Sequence, residues 1–173
     1  MPYTPEGFLA VPITALVATI AASARFRTIV GASSAALAET KIEIQLADDE
    51  AEEGHPEDAP KLKFPRPRAI VSTVEDFTHE RGGPGEWQTK QALRVSFEFI
   101  VPEQYRTTRR EQYVWFTSQI GVILAEMQTA RDADTDGSYL PFDRIECVQD
   151  PMPGIDDLSI EEYWGVEYSF FSQ

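Results

Sequence analysis

Sulfur and imidazole are scarce in this chain: 173 residues hold one cysteine, Cys147, and two histidines, His55 and His79. A lone thiol excludes an intramolecular disulfide framework and any multi-cysteine zinc site. Neither histidine has a nucleophile or a metal-ligating partner at a diagnostic spacing, so both are expected as exposed loop residues. Cys147 alternates with Ile145 and is expected as a small core or half-buried residue. Positive charge is also short, with 15 Lys and Arg against 29 Asp and Glu and a net charge of −14. That balance weighs against phosphate-backbone binding as the main activity. Long apolar runs are missing as well. The best one, residues 9–24, stops at Arg25 and Arg27, short of the ~20 residues that cross a bilayer. Ala22-Ser23-Ala24 looks like a signal-peptidase site, yet residues 1–8 hold no Lys or Arg and one acid, Glu6. This reverses the basic leader of an export signal, so no cleavage, export or membrane association is expected.

What is present suits a folded protein. Hydrophobic residues make up 42% and aromatics 11%, with 10 Gly and 12 Pro, the composition of one soluble globular domain spanning 1–173. Ile13, Leu16, Val17, Ile20, Ala21 and Ala24 recur at helical spacing and predict a helix over 12–30, with Pro12 in its first turn and Gly31 at its stop. A short helical turn is expected over 34–39 and a strand over 41–46. Residues 48–58, DDEAEEGHPED, carry seven acids and no base. Such a run repels itself and has nothing to bury, so about 47–62 is expected to be a flexible, solvated loop.

Two long strand patterns, 68–80 and 86–101, flank Arg81-Gly82-Gly83-Pro84-Gly85, whose glycines permit the positive φ of a hairpin turn. Trp87, Leu93, Val95, Phe97, Phe99 and Val101 share one parity, and Lys90, Arg94 and Glu98 the other, which predicts one core face and one polar face. Pro102 ends that strand. A helix over 103–131 should cover the apolar face through Tyr113, Phe116, Ile120, Ile123, Leu124 and Met127. Residues 139–149 and 162–171 read as two closing strands joined by a loop over 149–159, and no internal repeat is present. The order defines an α+β fold, a mostly antiparallel sheet with two main helices packed on one face.

Motifs with chemical content are few. The glycine run is no phosphate cradle, because it leads into a strand and no Lys-Ser/Thr follows. Asp132, Asp134 and Asp136, with Gly137 and Asp143 at the twelfth position, fit the first half of a calcium loop. Position twelve lacks the usual Glu, Pro141 intervenes and a strand follows, so an acidic helix-to-strand turn is the expectation and cation binding the minor alternative. Arg106, Arg109 and Arg110 cluster beside Glu103 and Glu111, which suits a solvated face or a subunit contact better than an anion site. No catalytic residue and no cofactor is expected.

The segment from Arg66, "RPRAIVSTVEDFTHERGGPGEWQTKQALRVSFEFIVPEQ", followed by the helix ending "FTSQIGVILAEM", resembles the tail terminator (minor tail, or tail completion) proteins of long-tailed bacteriophages. The later "YLPFDRIECVQDP", the acidic loop and "YWGVEYSFF" continue the layout. The resemblance spans about residues 8–30 and 66–171 and is one of pattern. It implies a virion protein of the tail or neck, assembled in the cytoplasm of the host bacterium. Such a protein forms a homo-oligomeric, hexameric ring that caps the tail tube, stops its polymerisation and offers a docking surface to the head-side connector or stopper. No enzymatic residue carries over. The stretch between Ala47 and Pro65 makes this chain longer than compact members. A charge of −14 suits a channel through which a genome slides without specific binding. Subunit interfaces are expected at Arg106, Arg109 and Arg110 and at the hairpin Arg81, Gly82 and Gly83. Other neck or head–tail connector proteins are the neighbouring reading, and an α+β pocket domain binding a small ligand is the alternative from a different class. A DNA mimic fits less well, because half of the excess charge sits in one loop.

Overall fold

The computed structural model describes residues 10–45, 66–73, 78–83, 86–155 and 162–172. The acidic loop, including His55, lies outside them.

The fold is α+β, with four α-helices and a mostly antiparallel sheet among the described residues. The opening apolar pattern forms two helices, α1 (Ala10–Ala22) and α2 (Ala24–Ile29), where one was expected. Ser23 interrupts it by adopting an extended conformation (ψ 121°) and accepting the Phe26 N–H on its hydroxyl, so a serine inside the periodic run acts as a helix N-cap. Gly31, at φ +69°, follows the end of α2 as expected. Helix α3 (Ala35–Glu39) starts at the Ser34 cap and leads into β1 (Ile42–Gln45).

Strand β1 pairs in parallel with β2 (Arg68–Thr73), and β2 pairs antiparallel with β4 (Glu86–Ile100). The expected single strand over 68–80 is two strands. Thr73 registers with Leu93, whereas Thr78, which opens β3 (Thr78–Gly83), registers with Lys90. The two strands are thus offset by two positions in their register with β4, and residues 74–77 lie outside the described residues. Arg81, Gly82 and Gly83, read from the sequence as part of a turn over 81–85, belong to β3, and Gly83 registers with Glu86; residues 84–85 lie outside the described residues.

After Pro102 a 3₁₀ turn (Glu103–Tyr105) intervenes, and α4 (Arg109–Ala133) starts six residues later than expected. Thr108 and Glu111 form a reciprocal capping box that fixes this start. Strand β5 (Phe142–Ile155) runs through Pro151 and Pro153, where a loop was expected, and β6 (Glu162–Ser172) closes the chain. The sheet order is β1-β2-β4-β6-β5, with β3 also on β4. As an edge strand β5 tolerates prolines; Pro151 falls within one of its three register shifts, between Gln149 and Met152, and Pro153 registers with Trp164.

The alternation in β4 holds in the described part: Leu93, Val95, Phe97 and Phe99 are buried, and the intervening side chains are half-buried. Phe26, Phe97, Phe99, Phe116 and Trp164 form a continuous series of ring contacts with centroids 5.9–6.3 Å apart. From α4, Phe116, Ile120, Ile123 and Met127 enter this core, while Tyr113 is 45% exposed and meets Trp164 edge-on. Burying each such side chain contributes roughly 1.5–3 kcal/mol. Two polar contacts fix the layers within it. Trp164 Nε1 donates to Gln112 Oε1 at 3.0 Å, and Leu140 N donates to Thr19 Oγ1 at 2.9 Å.

Candidate functional site

Helices cover one face of the sheet; the other face carries charge at its strand registers. Arg68 opposes Glu98, and Glu43 and Arg94 fall on the same face. Arg68 reaches Glu43 at 3.0 Å and Glu98 at 2.8 Å, and Arg66 reaches Glu98 at 2.9 Å. The Arg66 guanidinium lies 3.8 Å over the Tyr163 ring, and Arg94 lies 3.0 Å from Glu167. Gly154 lets Tyr163 lie flat, since a Cβ there would overlap the ring. Beside this ladder is a cavity of about 420 Å³ lined by Ser96, Glu98, Gln149, Met152, Gly165 and Glu167 among others. Its two carboxylates already face arginines, so the ladder orders the face and presents no ready nucleophile or proton-transfer pair.

Of the acidic residues singled out in the sequence, Asp134 and Asp136 meet at the Ser138 N–H, whereas Asp132 and Asp143 have other surroundings. Asp134 Oδ2 accepts from Tyr139 N at 2.8 Å, and Oδ1 accepts from the N–H groups of Asp136 and Ser138 at 3.3 Å. These bonds, led by the one from Tyr139, hold the Asp134 carboxyl below the ordinary aspartate range. Asp136 accepts from Ser138, Asp132 pairs with Arg131 at 2.7 Å, and Asp143 stands exposed on β5. Among the described residues no group of three or more His, Cys, Asp or Glu side chains is arranged to hold a metal. The carboxylates instead tie a helix-to-strand turn, with Gly137 at φ +76°.

The arginine cluster also separates. Arg106 lies outside the helix and donates from Nε to the Val101 carbonyl at 2.6 Å. Arg109 pairs with Glu162, and Arg110 points outward in the first turn of α4. Arg81, Gly82 and Gly83 are placed by the β3–β4 register alone. His79 lies in β3, within the span 68–80 read as a strand from the sequence.

Cys147 is exposed, which corrects the expectation of a small core or half-buried residue. It sits on edge strand β5 beside the register shift between Cys147 and Gln149. Partial burial and the nearby Asp150 carboxylate push its thiol pKa up, so it is not an activated nucleophile. Sequence patterning missed the sheet edges, where Ile44, Val148, Met152 and Ile155 are each at least 48% exposed. Strand order decides which strands are edges, and no local spacing encodes it.

The sequence matches no protein-family model and no curated protein. Among the described residues no helix is long and apolar enough to cross a membrane.

Proposed function

We propose that this protein is a structural ring subunit of the tail terminator kind, acting at the head-proximal end of the tail tube of a long-tailed bacteriophage. In this reading a homo-oligomeric ring, hexameric as in the family it resembles, stops tube polymerisation. Its outer surface then receives the head-side connector or stopper protein while the genome passes without specific binding. The observation that carries the reading is the architecture of residues 66–171, the span on which the resemblance mainly rests. There β2, β4, β6 and β5 form consecutive members of one sheet, α4 covers one face, and among the described residues the sheet ends at β1 on one side and β5 on the other. Subunits with two unlike edges suit head-to-tail closure into a ring. The test is the mass of the purified protein alone and with its tail-tube protein: ring-sized particles are expected at tube ends.

The cavity of about 420 Å³ on the open face favours a second reading, a small-ligand pocket. It would be supported by a protein that stays monomeric beside tube subunits and gains thermal stability from a small-molecule panel.

A further inference from the structure

We infer that neighbouring copies join head to tail through opposite edges of the sheet, β1 of one copy meeting β5 of the next; this assigns the interface and rests on the ring reading above. The two edges are unlike. β1 and β5 end the strand order, so among the described residues each has a strand neighbour on one side only. Their outer N–H and C=O groups therefore form a template for another strand.

Both edges also expose apolar side chains. Ile44 shares its face with Ile42 and registers with fully buried Val71, yet is 48% exposed, and Leu37 in adjoining α3 is 51% exposed. On β5, Val148 and Met152 are 48% and Ile155 68% exposed.

Length and charge select the pairing. The register shifts and prolines of β5 leave one regular four-residue stretch, Arg144–Cys147. β1, Ile42–Gln45, is also four residues long. β5 carries Asp143, Glu146 and Asp150 against a single base, Arg144. Two β5 edges facing each other would therefore set like charge against like charge. On β1 Glu43 is already paired with Arg68 of the neighbouring β2, and beside the strand Lys41 offsets Glu39, so this edge takes the acidic one without that repulsion. Each copy then uses one edge of each kind, and the contact repeats around a ring.

The single native cysteine makes the contact testable. Cys147 registers with Tyr168 and Ile44 with Val71, so both side chains fall on the helix-bearing side of the sheet. Ile44→Cys, oxidised under ring-forming conditions, should give a ladder of covalent multimers above the dimer. Wild type, and Ile44→Cys combined with Cys147→Ser, should stop at the dimer. A second test needs no disulfide. Ile44→Glu and Val148→Glu, the second at the exposed residue adjoining Arg144–Cys147, should each lose the ring while keeping the wild-type circular dichroism spectrum. Mixed in equal amounts they should form a one-to-one dimer, because each retains one intact edge. Rings of wild-type size from both variants, with no ladder above the dimer, would overturn the edge assignment and leave the ring reading standing. A wild-type chain that forms no ring with or without tail-tube protein would overturn both.

Discussion

Ser23 Oγ donates a 2.6 Å hydrogen bond to Glu126 Oε2, joining positions 103 apart in sequence at the break between α1 and α2. The same carboxylate oxygen accepts the Arg25 N–H at 2.9 Å, so Glu126 of α4 sits against the unpaired amides that open α2. Ser23→Ala removes both the cap and this tie. It should destabilise the protein by about 1–2 kcal/mol, measured by urea unfolding.

Glu126 gives the pH dependence of that joint. Desolvation raises its pKa, but the bonds from the Arg25 N–H and the Ser23 hydroxyl, with the Arg25 charge, outweigh it and hold the pKa below the ordinary glutamate value. A depressed folded-state pKa contributes stability above the unfolded-state value, and that stability is lost as pH falls through the folded-state value. Wild-type stability should therefore drop across the acidic glutamate range. Glu126→Gln should be less stable at neutral pH and show a shallower acid decline. Parallel acid profiles for the two proteins would contradict this.

Gln112→Leu strands the Trp164 indole N–H inside the core, where Trp164 is 5% exposed. The loss should be about 1–3 kcal/mol. Trp164→Phe removes the donor, so the added cost of Gln112→Leu should shrink in that background, as a double-mutant cycle would measure.

Gly154→Ala places a methyl group in the Tyr163 ring. The overpacking should cost about 1–3 kcal/mol and largely disappear in Tyr163→Ala, read as non-additive shifts in the unfolding midpoint.

The acidic turn should ignore calcium, because backbone amides already occupy the Asp134 oxygens. Thermal midpoints should match in millimolar calcium and in chelator, and Asp134→Ala should lower both alike. A midpoint that rises with calcium in wild type alone would restore the cation-loop reading.

The parity of β4 was legible because a strand buried on one face must alternate, and Leu93, Val95, Phe97 and Phe99 do so. The Thr108…Glu111 capping box was also present in the sequence as a helix start. It was masked by the charged residues from 103 onward, which suit a first helical turn equally well. Two features had no local signal. Ser23 breaks the first helix with the help of Glu126, a partner brought by tertiary folding. Pro151 and Pro153 sit within a strand because β5 is an edge, a property of sheet order. Arg106, Arg109 and Arg110 are close in sequence but serve different contacts, since the helix begins between the first and the other two.

The most direct test of the proposed ring is size-resolved mass of the purified protein, alone and mixed with phage tail-tube subunits. The account predicts a discrete ring, or a monomer that becomes ring-sized at tube ends. A protein that stays monomeric and leaves tube growth unchanged would contradict it.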